Sequence, residues 1–120
     1  MTGSARDRMI AACLGLPGVV EDYPFGDGVS VFKVAGKMFA LVPLGEQPGS
    51  ISLKCDPEMA IDLRRRYSAI TPGYHLNKRH WNTIGLDGSV PEDELLDLVA
   101  HSYELVVTRL PKATQDKFST

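Results

Sequence analysis

Several things are scarce in this chain of 120 residues, and each scarcity removes a class of function. It holds only two cysteines, Cys13 and Cys55, far apart and in apolar or strand-like surroundings. With no secretory leader visible, that pattern reads as two reduced, buried thiols rather than a disulfide framework. No apolar run reaches the roughly 20 residues a membrane helix needs, and the N-terminus has no signal-type apolar stretch, so no membrane partner and a cytoplasmic location are expected. Excess positive charge is missing too: the net charge is −2. Dedicated nucleic-acid binders draw affinity from releasing phosphate counterions, so here any such attraction must come from a local patch. Glycine-rich phosphate loops are absent, because Gly26-Asp27-Gly28 lacks the following lysine and helix. No repeat or low-complexity tract appears.

What is present is ordinary for a globular protein, with 43% hydrophobic and 23% charged residues. The length suits one domain, 1–120, with an ordered core at about 4–111. Ser4 and Asp7 resemble a capping box, and Met9, Ile10, Cys13 and Leu14 follow at helical spacing until Pro17-Gly18 stops the helix near Leu16. Glu21 to Gly28 reads as an irregular loop. Val29–Val34 and Lys37–Val42 are β-prone runs joined by Ala35-Gly36, a hairpin signal. Pro43 to Ser50 is turn-rich, and Ile51–Cys55 is a third strand. Asp56-Pro57 opens a second helix whose apolar side is Met59, Ala60, Leu63 and Tyr67 and which Arg64-Arg65-Arg66 closes. Ser68–Thr71 forms a brief edge strand and Trp81–Leu86 another strand. A last helix runs from about Pro91 to Arg109 with Leu95, Leu98, Val99, Ser102, Tyr103 and Val106 as its stripe, before a polar, frayed tail. Hairpin connections imply an antiparallel sheet. The fold class is therefore α+β, with N-terminal, middle and C-terminal helices packed on that sheet.

Strand alternation predicts which side chains leave the core. With Phe32, Val34, Ile51, Leu53, Ile84 and Leu86 inward, the opposite face presents Val31, Lys33, Ser52, Lys54, Trp81 and Thr83. Next to it lies the richest stretch of the chain, Pro72 to Thr83. It holds Tyr74, His75, Asn77, Lys78, Arg79, His80, Trp81 and Asn82. Cations beside aromatic rings suit an anionic ligand, because phosphates attract the charges and bases stack on the rings. Amides such as Asn77 and Asn82 can pair with base edges.

Other chemistry is weakly marked. His75 and His80 are five residues apart, not the spacing that places two metal ligands on one helix face, so no metal and no cofactor are expected. A nucleophilic pair of Cys55 with a histidine lacks any local sign of a low-pKa thiol. An acid–base site of His75 or His80 with Tyr74 and the Glu21-Asp22 loop would require those groups to converge.

The ordered set Leu16-Pro17-Gly18, Glu21-Asp22-Tyr23-Pro24-Phe25-Gly26, Phe32-Lys33-Val34, Gly36-Lys37-Met38-Phe39, Leu53-Lys54-Cys55, Pro72-Gly73-Tyr74-His75, Asn77 to Asn82 and His101-Ser102-Tyr103 resembles the MmcQ/YjbR family of small bacterial proteins. The resemblance covers roughly residues 5 to 112. It implies a compact α+β fold similar to type III secretion chaperones and likened to a double-wing DNA-binding arrangement. It further implies a DNA-binding role through Lys33, Lys37, Lys54, Tyr74, His75, Asn77, Lys78, Arg79, His80, Trp81 and Asn82. The local density of cations and rings leads us to expect a non-enzymatic domain with phosphate contacts from Lys33, Lys37, Lys54, Lys78 and Arg79 and stacking by Tyr74 and Trp81. The alternatives are a protein-interaction or chaperone-like module with a protein partner, and a small-molecule binder using the His/Tyr cluster.

Overall fold

The computed structural model describes residues 3–45 and 48–118. Helix α1 spans Ala5–Leu14 and starts from the expected capping box: Ser4 Oγ accepts from the Asp7 amide at 3.1 Å. A short strand β1, Val19–Asp22, follows. The sequence reading missed it because four residues ending in two acids carry little β signal. Strands β2 (Val29–Val34) and β3 (Lys37–Pro43) form the hairpin, and β4 covers Ser50–Lys54. Of the turn-rich link before β4, Glu46 and Gln47 lie outside the described residues. Helix α2 (Pro57–Arg66) has Asp56 as N-cap. Strands β5 (Ile70–Pro72) and β6 (Trp81–Gly85) precede helix α3 (Glu92–Val107). The chain then turns through α4 (Lys112–Gln115) and a 3₁₀ turn, Asp116–Phe118.

All strand pairs are antiparallel, in the order β1-β2-β3-β4-β6-β5. The helices cover one face only. Met9 and Cys13 of α1, Ala60 and Leu63 of α2, and the α3 stripe pack on Phe32, Val34, Val42, Ile51, Leu53 and Ile84. That stripe consists of the same six residues that helical spacing singles out. Leu14, by contrast, is exposed, because α1 presents only a narrow seam to the core.

Two details set the geometry. The β2–β3 register slips between Phe32 and Lys33, which leaves Phe39 without a cross-strand partner. The bulge turns Phe39 inward, edge-on to Tyr103 with ring centroids 5.5 Å apart. Ser102 Oγ then donates to the Phe39 carbonyl at 2.6 Å and accepts from the Lys54 amide at 2.9 Å, so one hydroxyl ties α3 to two strands. The tail is not frayed as expected. Phe118 returns to the core beside Gly18, whose positive φ of 74° and missing side chain leave room for the ring.

Candidate functional site

Alternation of the strands leaves one sheet face uncovered by helices. Across its middle, Leu41 pairs with Ser52, Ser52 with Thr83 and Thr83 with Thr71. The hydroxyls of Ser52 and Thr83 are 2.8 Å apart, and Thr83 Oγ1 also accepts from the Tyr74 amide at 3.1 Å. A cleft of about 760 Å³ lies over this row. Its floor is Val29, Leu41, Pro43, Ser52 and Thr83, and its walls are Phe25, Tyr74, His75 and Leu76. Among the described residues, no lysine, arginine, aspartate or glutamate lines it.

One wall is the connection from β5 to β6, which folds back over the sheet. The Gly73 amide donates to the Trp81 carbonyl at 2.8 Å, and Asn77 Oδ1 accepts from the amides of Arg79 at 2.9 Å and His80 at 3.2 Å. Lys78 Nζ reaches the Gly73 carbonyl at 3.3 Å. Arg64 of α2 donates to the Lys78 carbonyl and, at 2.7 Å, to Asn82 Oδ1. The Tyr74 and His75 rings stand at the tip with centroids 4.0 Å apart. His75 adopts a left-handed φ of 57°, uncommon for a residue other than glycine, and such strain gathers at functional positions.

This folding-back corrects part of the recognition surface expected from the sequence. Trp81 does point to the face away from the helices, but it is only 6% exposed, so its ring is not offered to a base. Asn82 faces the other way, beneath α2, where Nδ2 donates to the Ala60 carbonyl at 3.3 Å; both ends of its amide are engaged. Asn77 is used within its own turn. Lys33 is paired with Asp22 at 3.0 Å, and that hydrogen bond holds the Asp22 carboxyl below its usual range. Tyr74, at 72% exposure, and His75 face the cleft. The side chains of Lys37, Lys54, Arg79 and His80 make no hydrogen bond or ion pair among the described residues. The eleven residues therefore do not form one surface: Tyr74 and His75 stand at the cleft, Asn77 and Lys78 bond within the connection, Asn82 lies on the helix side, Lys33 pairs with β1, and Lys54 and His80 share a separate recess.

The histidines part company as well, His75 at the cleft and His80 at a small recess near Lys54 and Arg109. Burial pushes the Cys13 thiol up to about 12 and the Cys55 thiol to about 11, the reverse of an activated nucleophile. Among the described residues no three His, Cys, Asp or Glu side chains gather as metal ligands. No described helix is long and apolar enough to cross a membrane. Sequence reasoning missed Arg109, which reads there only as a helix-end cation, and Phe25, whose signal was a large apolar ring inside a Pro/Gly turn.

The YjbR family profile matches residues 14–105. The chain is 36% identical over 105 residues to "Uncharacterized protein YjbR" of Escherichia coli K12, covering 88% of this chain and 89% of that one. It is 38% identical over 104 residues to "Uncharacterized protein YbdF" of Escherichia coli O157:H7, covering 87% and 85%. The crystal structure of Deinococcus radiodurans protein DR2400, a DUF419 domain, superposes with a TM-score of 0.88 at 40% identity, over 98% of this chain and 88% of that one. A Pseudomonas syringae protein superposes at 0.72 with 28% identity, over 83% and 97%.

Proposed function

The chain belongs to the YjbR family, and from that premise we propose that it is a binding module whose open sheet face takes a small, mainly apolar organic molecule. One observation carries this reading: the cleft combines an apolar floor and walls with a few convergent hydroxyls and an imidazole. Ligand sites commonly span roughly 300–1,000 Å³, are mostly apolar and use few polar groups to orient the guest. Leu41, Val29, Pro43, Phe25 and Leu76 supply the contact area. Ser52, Thr71, Thr83 and His75 supply donors and acceptors for one polar end. The exposed Tyr74 ring can fold over a bound guest at modest entropic cost, having few rotatable bonds.

The test is a titration of the protein with 8-anilinonaphthalene-1-sulfonate and a panel of aromatic fragments, followed by amide NMR. Saturable one-to-one binding that moves the amides of Leu41, Ser52 and Thr83 is expected, and Leu41→Arg abolishes it while the protein stays folded. Binding that is absent, or unchanged in Leu41→Arg, removes the proposal.

A second reading, weak DNA binding, is favoured by Lys37, Lys54 and Arg79, three cations with no partner among the described residues. It is weakened by the internal employment of Trp81, Asn77 and Asn82. If those cations contact phosphates, log K falls with log salt at a slope of about −2.7, roughly 0.9 per contact. Binding that is insensitive to salt or to the triple alanine variant of those residues counts against it.

A further inference from the structure

At the corner where β4 ends and α2 begins lies a recess of about 30 Å³. Lys54, His80 and Arg109 line it, together with Asp56 and Pro57 at the start of α2. They come from four places in the chain: a strand end, the β5–β6 connection, the stretch after α3, and a helix cap. Neither Lys54 nor Arg109 forms an ion pair or side-chain hydrogen bond among the described residues, although the chain has 15 acidic residues and a net charge of −2. Lys54 is pushed below the ordinary lysine range by burial first, then by the charges of Arg109 and Lys37. Like charges crowded at a partly desolvated point cost stability unless something neutralises them.

The nearby acid, Asp56, keeps its negative charge but is held by its own helix. Asp56 Oδ2 accepts from the Met59 amide at 3.3 Å, as a helix cap. The Asp56 amide in turn donates to His101 Nε2 at 3.3 Å. The positive end of the ten-residue α2 also faces this corner, adding to the field of the cations. A fork-shaped guanidinium and an ammonium lining one recess match the oxygens of a compact tetrahedral oxyanion.

We propose that this recess binds a phosphate group, held between Lys54 and Arg109 with His80 at its mouth. Lys37 supplies longer-range attraction. The phosphate is either free, as an inorganic or monoester group, or part of a nucleic-acid backbone. The inference does not depend on the apolar cleft. It shares Lys37 and Lys54 with the DNA reading, so the two are tested apart.

The experiment is an amide NMR titration of the whole chain with sodium phosphate at constant ionic strength, with sodium chloride as control, and separately with duplex DNA. Saturable shifts at Lys54, His80 and Arg109 that chloride does not reproduce are expected. Lys54→Met and Arg109→Met each weaken binding at least about tenfold, as loss of a charge-assisted hydrogen bond requires. Lys54→Arg retains it, and Tyr74→Ala leaves it unchanged. Saturation by free phosphate identifies the free or monoester source even if DNA does not bind. Shifts at the same residues with DNA alone identify a backbone phosphate. Shifts that match chloride, or that persist in both methionine variants with their folds intact, overturn the proposal.

Discussion

Gly73 lies directly against Trp81: a β-carbon built on the glycine would sit 2.7 Å from the tryptophan's Cβ and 3.1 Å from its carbonyl oxygen. The glycine lets the β5–β6 connection lie close against the backbone and Cβ of Trp81, which is only 6% exposed. Gly73→Ala therefore forces the connection away from Trp81, at a cost of about 1–3 kcal/mol for overpacking. Urea unfolding should show the loss, and Trp81 emission should shift to the red in the native state. An unshifted spectrum would mean that the connection does not seal the ring.

Ser102 is wholly buried, with its hydroxyl shared between the Phe39 carbonyl and the Lys54 amide. Ser102→Ala strands both backbone groups and should destabilise by about 2–3 kcal/mol. Its measured cost should well exceed that of Thr108→Ala. The Thr108 hydroxyl bonds only within its own helix end, in solvent.

The two-residue hairpin turn places both Ala35 (φ 52°) and Gly36 (φ 78°) in the left-handed region. Alanine pays a steric cost there that asparagine largely avoids. Ala35→Asn should stabilise by roughly 0.5–1 kcal/mol, raising Tm by a few degrees in calorimetry. A lower Tm would contradict the turn geometry.

Cys13 and Cys55 are both buried, with thiols near 12 and 11. Neither should react with a disulfide reagent at pH 8 on the timescale of a free thiol, and two equivalents should react once the protein is denatured. Rapid native labelling of Cys55 would reopen the nucleophile reading.

Lys54 has a folded pKa below 10.5, so its charged form is penalised in the native state. That penalty is fully present below the folded pKa, is lost as pH rises from there to 10.5, the unfolded value, and is absent above it. Lys54→Met should therefore melt higher than the parent at neutral pH, and the gap should narrow in strong alkali. A variant that melts lower at pH 7 would show that the lysine stem, rather than its charge, dominates.

Much of the fold was legible in local pattern. The stripe on α3, the Asp56 cap, the hairpin and the inward phases of β2, β4 and β6 all follow from periodicities of 3.6 and 2. Strand β1 escaped because its four residues hold too few apolar side chains to declare a face. The tail looked polar because a single phenylalanine carries its packing. For the candidate site, the open face was readable from alternation, and its hydroxyl row with it. The cleft was not, since Phe25, Leu41 and Tyr74 are brought together only by strand order and by a connection that doubles back.

The sequence by itself determined the elements, the faces of the strands and the shortage of net positive charge, because each depends on neighbours within a few residues. Tertiary structure alone decided which groups meet solvent. It buried Trp81 on the face without helices, engaged Asn82 beneath α2, and set Arg109 beside Lys54 across 55 positions of chain. Composition cannot report these outcomes, since exposure and pairing are properties of surfaces in contact and not of residues in order.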